Sequence, residues 1–464
     1  MGGSGWQRET DVVVIGAGLA GYCAALAAAD AGTRVLLLEK QPAVGGSSVL
    51  SGGFFAFAGT DLQQAAGVED SGARLLEDLK RAGGGQNDER LLKVYIDRQQ
   101  EAYAWLKKIG MAFKPLQLSS AQSVPRTHPV DPEALISRLR ELAAQAGCVD
   151  TLLNSPAERL LQDEPRGRVV GVLARIEGRP EKVRARRGVV LAAGGFSRNE
   201  QMLREFVPHQ ARGIRYGGAG NTGDGIRMAW ALGAGFRDMA FIKGTFGFHP
   251  DAATKEGRNW TKLAVYRGAI AVNKLGRRFV DESKSYKLLG DAVLRQPDAI
   301  AYQIFDQSVM DKAADGVPPF DFQSALRRGL LWQAGTLDEL ARRLGIDPAQ
   351  LSATINRYNG FVDNGSDEDF GRDGLSTHYG KLTRIERAPF YAYPSSSGLI
   401  ATYCGLTVDA GTRVLDVFGE PIEGLFAAGE LMGGFHGVAY MTGSSLGKCV
   451  VFGRIAGQNA ARAV

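Results

Sequence analysis

The chain has 464 residues, of which 44% are hydrophobic and 61 are glycine. This length predicts two or three domains, and the composition is that of a globular protein rather than a disordered chain. The 55 basic and 50 acidic residues leave a net charge of +5, which is too mild and too dispersed for a nucleic-acid-binding surface. No apolar run of about 20 residues and no secretory signal are present, so we expect no membrane span and a cytoplasmic protein.

Cysteine and histidine usage argues against metal and disulfide chemistry. The four cysteines, Cys23, Cys148, Cys404 and Cys449, are far apart and form no C-x-x-C pair. This spacing argues against a disulfide reductase, an iron–sulfur protein and a haem attachment site. Five histidines without H-E-x-x-H spacing predict no catalytic metal.

The chain opens with a dinucleotide-binding pattern. An apolar strand is predicted at 12–15, and Gly16, Gly18 and Gly21 follow it at G-x-G-x-x-G spacing. The first glycine permits a tight turn, the second lets the backbone approach a pyrophosphate, and the third lets helix and strand pack closely. An alanine-rich helix is predicted at 24–31, with its N-terminus facing the phosphates.

The next strand, at 35–38, is followed by further cofactor candidates. Glu39 ends this strand, where an acidic side chain can bind ribose hydroxyls. The turn at 45–48 offers backbone N–H groups and hydroxyl donors to phosphates. The remaining cofactor-binding candidates in this part of the chain are Ala20, Lys40, Gly45, Gly46, Ser47, Ser48, Ser51, Gly52 and Gly53.

Between the opening and residue 238 the chain alternates helical and strand patterns. We predict a helical stretch at 70–106 and a helix at 133–146. An apolar strand within 183–196 ends in Ala193 and Gly194, whose small size lets the backbone approach a cofactor. A glycine-rich loop containing Asn221, Thr222 and Asp224 then opens a predicted helix at 226–232.

The end of the chain carries a second set of cofactor signals. Glu430, after Gly429, can accept hydrogen bonds from sugar or ribitol hydroxyls. Gly443, Ser444, Ser445 and Leu446 precede a predicted helix at 448–461. A helix N-terminus beside a flavin pyrimidine ring would stabilise the negative charge of the reduced flavin. Together with the opening pattern, this segment indicates FAD and predicts that the two ends of the chain fold onto one cofactor.

Composition changes near residue 239 and changes back near 395. The segment between is richer in aromatic and charged residues, and helices are predicted near 298–312, 322–331, 336–344 and 348–363. We therefore predict an FAD-binding domain made of 1–238 and 395–464, with a capping or substrate domain at 239–394 inserted into it.

These motifs resemble those of the fumarate reductase and succinate dehydrogenase flavoprotein superfamily along nearly the whole chain. That superfamily includes soluble flavocytochrome fumarate reductases, urocanate reductases and 3-ketosteroid dehydrogenases. Further matching segments lie at 51–53, 192–196, 221–225, 267–273, 276–282 and 425–457. The resemblance implies an α/β fold, in which a Rossmann-like FAD-binding domain of the GR2 type carries an inserted α+β capping domain.

The resemblance also implies hydride transfer between flavin N5 and a carbon next to a carbonyl or carboxylate. The substrate is then a small carbonyl or carboxylate compound. Because the chain shows no haem-binding segment and no second nucleotide fold, we expect an external electron partner, a quinone or a redox protein. Members with covalent flavin carry a histidine just before their Ser-Gly-Gly; here residues 47–50 are Ser, Ser, Val and Leu, so we expect non-covalent FAD.

The substrate residues match two branches of the superfamily. His249 and Arg267 resemble the histidine that binds a substrate carboxylate and the arginine that clamps substrate and delivers a proton in fumarate reductases. The second histidine and second arginine of that clamp are absent from 400–403 and 438–441. Tyr440 and Gly443 are instead similar to the tyrosine hydroxyl and backbone N–H that hold a ketone oxygen in ketosteroid dehydrogenases.

The sequence therefore favours desaturation of a ketone or keto acid, and the alternative is reduction of a C=C bond next to a carboxylate. Tyr266, Tyr286 and Tyr403 are candidates for the base, and the sequence leaves that choice open. His128 is a further candidate, and Glu256 and Arg258 are candidates for a proton relay to Arg267. An amine or alcohol oxidase and a non-catalytic flavin carrier are the competing classes.

Overall fold

The computed structural model describes residues 5–253, 261–376 and 380–463. Glu256 and Arg258, the candidates for a relay, lie outside the described residues. Two compact units make up the chain: one consists of Met1–Val207, Gly217–Ile242 and Ala401–Val464, and the other of Pro208–Tyr216 and Lys243–Ile400. The domain boundaries and roles expected from composition stay a prediction.

The elements alternate between strands and helices through most of the chain. The strands are β1 (Arg8–Ile15), β2 (Val35–Leu38), β3 (Phe54–Ala56), β4 (Thr127–Pro129), β5 (Val149–Leu152), β6 (Ala157–Gln162), β7 (Val169–Ile176), β8 (Arg179–Leu191), β9 (Ile214–Arg215), β10 (Phe236–Arg237), β11 (Thr245–Phe248), β12 (Ile270–Asn273), β13 (Ala301–Asp306), β14 (Trp332–Ala334), β15 (Phe390–Leu399), β16 (Gly405–Leu406), β17 (Arg413–Leu415) and β18 (Pro421–Ala427). The helices are α1 (Leu19–Asp30), α2 (Gly46–Val49), α3 (Asp61–Ala65), α4 (Gly72–Ala82), α5 (Glu89–Lys108), α6 (Pro132–Gln145), α7 (Glu200–Phe206), α8 (Asp224–Trp230), α9 (Tyr286–Leu294), α10 (Gln307–Met310), α11 (Phe322–Arg327), α12 (Leu337–Leu344), α13 (Pro348–Asn364) and α14 (Ser444–Arg462).

A largely parallel sheet forms the centre of the first unit. Its strands lie in the order β17, β18, β8, β1, β2 and β5, and β1 pairs in parallel with both β2 and β8. Because β18 pairs in parallel with β8, the end of the chain extends the sheet that the start of the chain began. This is the α/β, Rossmann-like arrangement expected from the sequence, and that fold class is confirmed.

Two helices from opposite ends of the chain pack closely in this unit. A Cβ atom at Gly453 of α14 would lie 2.6 Å from the carbonyl oxygen of Ala20 in α1, and one at Gly457 would lie 2.0 Å from that of Ala24. The backbones of α1 and α14 therefore approach as only small residues allow. The helices α1 and α14 and the strands β1 and β18 all belong to the first unit. Each helix begins within about 20 residues after its strand ends.

The second unit is built on a mixed sheet in which β15 is central. The strand order is β11, β15, β13 and β12, and β14 and β9 also pair with β15. Alternate residues of these strands enter different cores: Phe305 and Tyr391 lie in one apolar cluster, whereas Ile304 and Ala392 lie in another. The sheet is thus covered on both faces, by helices that include α9 on one side and α13 on the other.

Two helix predictions need correction. The predicted helix at 298–312 is wrong because Ala301–Asp306 forms β13, with α10 limited to Gln307–Met310. Every residue of β13 is buried, so the strand lacks the alternation of polar and apolar residues that marks a half-exposed strand. The predicted stretch at 70–106 is two helices, α4 and α5, because Gly84 and Gly85 adopt positive φ and Asp88 caps α5.

Within the described ranges, no helix is long and apolar enough to cross a membrane. The same ranges contain no cluster of histidine, cysteine and carboxylate side chains that could hold a metal ion.

Candidate active site

The three glycines of the opening pattern have different surroundings. A Cβ atom at Gly16, where φ is +103°, would lie 2.5 Å from the Ala192 carbonyl oxygen, and one at Gly21 would lie 1.8 Å from the Gly16 carbonyl oxygen. The atom nearest to a Cβ at Gly18 is the Ser48 Oγ, at 3.8 Å. The first and third glycines are therefore closed against backbone, whereas a Cβ atom at the second, at the N-terminus of α1, would make only ordinary van der Waals contacts. These residues fit a bound pyrophosphate.

Glu39 is held at the end of β2 by backbone donors. Its carboxylate accepts hydrogen bonds from the N–H groups of Ala17, at 2.9 Å, and Gln41, at 2.8 Å. The neighbouring Lys40 contacts a different set of residues. Its Nζ donates to the Thr222 hydroxyl and forms an ion pair with the Asp224 carboxylate. The sequence candidates Lys40, Thr222 and Asp224 are thus brought together by side-chain contacts.

Ser47 and Ser48 tie the short helix α2 to two other candidate segments. The Ser47 hydroxyl accepts from the Gly218 N–H at 3.0 Å and from the Asn221 amide at 3.3 Å. The Ser48 hydroxyl accepts from the Leu19 N–H, in the first turn of α1, at 3.2 Å. The candidates Gly45, Gly46, Ser51, Gly52 and Gly53 lie in and just after this turn.

Glu430 joins three parts of the first unit. Its carboxylate accepts from the Thr402 N–H at 2.9 Å and from the Asn221 amide at 3.0 Å. Desolvation in this environment raises the pKa of Glu430. At Gly195 a Cβ atom would lie 2.3 Å from the Glu430 Oε1, so the segment after β8, which contains Ala193 and Gly194, passes close to this carboxylate.

A buried lysine near Glu430 was not predicted from the sequence. Lys448 lies in α14, two residues after Leu446, and its Nζ donates to the Met432 carbonyl oxygen at 2.6 Å. Burial lowers the pKa of Lys448 to about 8. Lys448 is a single lysine among small and apolar residues of α14. Nothing in the neighbouring sequence distinguishes such a buried lysine from one that is exposed to solvent.

Three aromatic side chains of the first unit form a cluster beside Gly443. The Tyr440 hydroxyl accepts a hydrogen bond from the Gly443 N–H at 2.8 Å. The Tyr403 ring stacks on the Tyr440 ring with centroids 4.9 Å apart. His436, which the sequence analysis did not select, packs edge-on against both rings, at 5.1 Å from Tyr403 and 5.5 Å from Tyr440. Its position four residues before Tyr440 is the signal that could have identified it.

His249 and Arg267 belong to the second unit. His249 directly follows β11; its Nδ1 accepts from the Asp251 N–H at 3.2 Å, and its ring lies 5.7 Å from that of Tyr393. The Arg267 guanidinium lies over the Phe320 ring at 4.2 Å. The predicted catalytic residues thus fall into two groups, with Tyr403 and Tyr440 in one unit and His249 and Arg267 in the other.

The segment that carries Arg267 is braced by a buried ion network. Arg372 donates to the carbonyl oxygens of Val265, at 3.0 Å, and Ala269, at 3.1 Å. Arg372 also pairs with Glu282, which in turn pairs with Arg278. Arg267 is the last residue of a short 3-10 helix, Ala264–Arg267. The carbonyl groups two residues before and two residues after Arg267 are therefore held by Arg372.

The remaining candidates have other surroundings. His128 is fully buried in β4, where its ring nitrogens bond to the Thr60 hydroxyl and the Arg126 carbonyl oxygen, both at 2.8 Å. Burial lowers the pKa of His128 to about 4, so it is a neutral residue of the core. The Tyr266 hydroxyl donates to the Lys284 carbonyl oxygen at 3.1 Å, and Tyr286 begins α9.

The chain matches a known protein family. The model of the FAD binding domain family matches residues 11–446. The chain belongs to this family. It is 34% identical to a probable fumarate reductase of Shewanella frigidimarina over 466 residues, which cover 99% of this chain and 76% of that protein.

Two solved structures are similar along nearly the whole chain. One is the open conformation of a flavocytochrome c3 fumarate reductase, with 33% identity and a TM-score of 0.84, covering 99% of this chain and 79% of that one. The other is a 3-ketosteroid-Δ4-(5α)-dehydrogenase of Rhodococcus jostii with 4-androstene-3,17-dione. It has 31% identity and a TM-score of 0.79, and the match covers 99% of this chain and 98% of that one.

These similarities confirm the cofactor and the enzyme class predicted from the sequence. The chain is an FAD-dependent oxidoreductase that acts on CH–CH or C=C groups. Its relatives include both fumarate reductases and ketosteroid dehydrogenases.

Proposed function

We propose that the enzyme desaturates a ketone or keto acid at the bond α,β to the carbonyl. The observation that carries this proposal is the pairing of the Tyr440 hydroxyl with the Gly443 N–H at 2.8 Å. The two groups sit in one turn, where the Gly443 N–H donates to the Tyr440 hydroxyl and the hydroxyl in turn can donate to a carbonyl oxygen of the substrate. Because hydrogen bonds in a chain polarise one another, the bond from Gly443 makes the Tyr440 hydroxyl a stronger donor.

A hydroxyl donor polarised in this way acidifies the carbon next to the carbonyl. Negative charge develops on the carbonyl oxygen as the α-proton leaves, and a preorganised donor stabilises that charge by about 10²- to 10³-fold in rate. Tyr403, stacked on Tyr440, is the proposed acceptor of the α-proton; it would react as the phenolate and become a neutral tyrosine. FAD, when bound, supplies the acceptor for the hydride that leaves the β-carbon, so that a C=C bond forms.

FAD in this proposal is held without a covalent bond. The positions before Ser51 are not histidine, and Ser47 and Ser48 are hydrogen-bonded to the protein. The looser surroundings of Gly18 at the N-terminus of α1 support pyrophosphate binding, and Glu39 and Glu430 are the proposed acceptors for sugar and ribitol hydroxyls. The other cofactor-binding candidates named above complete the proposed set.

His249 and Arg267 are the proposed binding residues for a negatively charged or carbonyl group of the substrate. Their assignment rests on the match to the fumarate reductase pattern. An external quinone or redox protein as electron partner, and a cytoplasmic location, also remain predictions from the sequence.

The second candidate function is reduction of a C=C bond next to a carboxylate, as in a fumarate or urocanate reductase. The 34% identity to a probable fumarate reductase favours it. Against it, Tyr403 and Tyr440 lie where the second half of a dicarboxylate clamp would be expected. A small dianion would then keep one carboxylate unpaired, which costs binding free energy.

An anaerobic absorbance experiment separates the two functions. Oxidised enzyme is mixed with a panel of ketones, keto acids and saturated acids, and photoreduced enzyme with the corresponding unsaturated acids. The proposal predicts loss of the oxidised flavin absorbance with ketones. Reoxidation of reduced enzyme by fumarate-like acids, with no bleaching by any ketone, contradicts it and supports the reductase.

A further inference from the structure

The turn that carries Tyr440 and Gly443 is held by a side chain far away in the sequence. Gln122 is 4% exposed. Its amide nitrogen donates to the Thr442 carbonyl oxygen at 2.9 Å and to the Thr127 hydroxyl at 2.8 Å. Its amide oxygen accepts from the Ser119 N–H at 3.1 Å. The Gln122 side chain is therefore fixed by Ser119 and Thr127, which are near it in the sequence, while it holds the carbonyl group of Thr442.

The turn itself has a defined conformation. The Ser444 N–H donates to the Met441 carbonyl oxygen at 3.2 Å, which closes a four-residue turn. Gly443, the third residue, has φ of +90° and ψ of −19°, and Thr442 is not among the described residues with positive φ. This combination defines a type II turn.

The central peptide group distinguishes this turn from its common alternative. A type I turn differs mainly by a reversal of the peptide that joins Thr442 to Gly443. Glycine tolerates negative and positive φ about equally, so Gly443 does not by itself decide between the two turns. Something outside the turn must select the orientation.

Gln122 contacts that same peptide group. The peptide is planar, so the direction of the Thr442 carbonyl dictates the direction of the Gly443 N–H. With the carbonyl bonded to Gln122, the N–H points to the Tyr440 hydroxyl, 2.8 Å away. A reversed peptide would break both hydrogen bonds and turn the N–H away from Tyr440.

We propose that Gln122 is the positioning residue that selects the peptide orientation in which the Gly443 N–H donates to the Tyr440 hydroxyl, so that the polarised hydroxyl can donate to the substrate oxygen. Gln122 acts through the turn and does not touch the substrate. The inference rests on the proposed function, because it assigns to Gln122 the preorganisation of the donors that function requires. It predicts that an anionic mimic of the enolate, such as 4-nitrophenolate, binds through the Tyr440 hydroxyl in this arrangement.

The test compares Gln122→Met with Gln99→Met in the FAD-loaded enzyme. Gln99 is also buried, and its side-chain amide also holds backbone groups, namely the N–H and the carbonyl oxygen of Ala58. We expect Gln122→Met to lower kcat for a ketone by about 10²-fold, with KM changed by less than about threefold, and to weaken 4-nitrophenolate binding by about tenfold. In a Tyr440→Phe background the same change should lower kcat by less than about twofold, because coupled residues are not additive.

A second measurement does not depend on turnover. Hydrogen exchange of the peptide containing Gly443, followed by mass spectrometry, should become faster in Gln122→Met and stay unchanged in Gln99→Met. Exchange and kcat that match the wild type in Gln122→Met overturn the positioning role. If no ketone bleaches the wild-type flavin, the proposed function fails, and exchange at Gly443 alone then supports or overturns the role of Gln122 in orienting the peptide.

Discussion

The rings of Tyr403 and Tyr440 are stacked, with their centroids 4.9 Å apart and their planes inclined by 15°. The backbone of Tyr403 has φ of +58°, a conformation that costs a bulky residue about 1–3 kcal/mol. This strain is maintained by the surrounding structure, and strained residues of this kind cluster at functional sites. The stack therefore presents two tyrosine hydroxyls in a defined arrangement.

Tyr440→Phe should keep the stack and remove the hydroxyl that Gly443 contacts. We expect kcat/KM for a ketone to fall by about 10²-fold, because one preorganised donor is lost, while the melting temperature changes little. Steady-state kinetics and thermal unfolding measure the two effects. Tyr391→Phe, which removes a hydroxyl bonded to Gln307 in the second unit, is the control. Equal kinetics for Tyr440→Phe and the wild type would exclude the hydroxyl from the reaction.

Gly443→Ala should damage both stability and activity. The new Cβ would lie 2.7 Å from the Phe55 carbonyl carbon, and the residue would have to keep φ of +90°. Gly345→Ala is the matched control, because Gly345 also has positive φ but no atom lies within 4 Å of its Cβ position. We expect about 1–2 kcal/mol of destabilisation for the control and more for Gly443→Ala, measured by chemical denaturation. Equal losses would mean that the contact with Phe55 relaxes freely.

Arg267→Ala should lower activity on every substrate that the enzyme accepts, by about 10²-fold or more if Arg267 both binds substrate and transfers a proton. Arg267→Lys should recover binding in part, because it keeps the charge but not the planar donors. Arg357→Ala, which breaks an exposed ion pair with Asp369 in the same unit, is the control. Full activity of Arg267→Ala on all active substrates would remove Arg267 from the clamp.

FAD should leave the polypeptide when the protein is unfolded. We expect acid precipitation to release all of the yellow chromophore into the supernatant, because no histidine stands at positions 47–50 before Ser51. Absorbance of the supernatant and the intact mass of the pellet measure the two fractions. A mass increase equal to FAD on the polypeptide would show covalent attachment.

His128 predicts a component of stability that depends on pH. Burial lowers its pKa to about 4, from an ordinary value of 6.5, so the unfolded chain binds the proton more tightly than the folded one. The stability due to neutral His128 is present above pH 6.5 and is lost as the pH falls towards 4. We expect a loss of about 2 kcal/mol between pH 7 and pH 5. Chemical denaturation of wild type and His128→Phe tests this, since the variant should be less stable at pH 7 but lose less on acidification.

Local patterns were sufficient to predict the cofactor-binding elements. The spacing of Gly16, Gly18 and Gly21 predicted a strand, a turn and a helix, and β2 has the bounds expected from its apolar run. These signals are local because a turn needs glycine at a given position and a buried strand needs an unbroken apolar run. Reading apolar runs gave a wrong prediction at β13. This strand is buried on both faces, so its sequence lacks the alternation of a half-exposed strand and was predicted as a helix.

The contacts that organise the candidate site were decided by the tertiary structure. Glu430 meets Asn221, which is 209 positions away, and Gln122 meets Thr442 across 320 positions. Such hydrogen bonds form only once the sheet has brought the two ends of the chain together, and no period or spacing in the sequence encodes them. The sequence thus determined that FAD is bound and that a strand, a glycine turn and a helix open the chain. Folding decided which buried side chain holds the Tyr440–Gly443 turn, because that depends on the direction of one peptide group in a packed core.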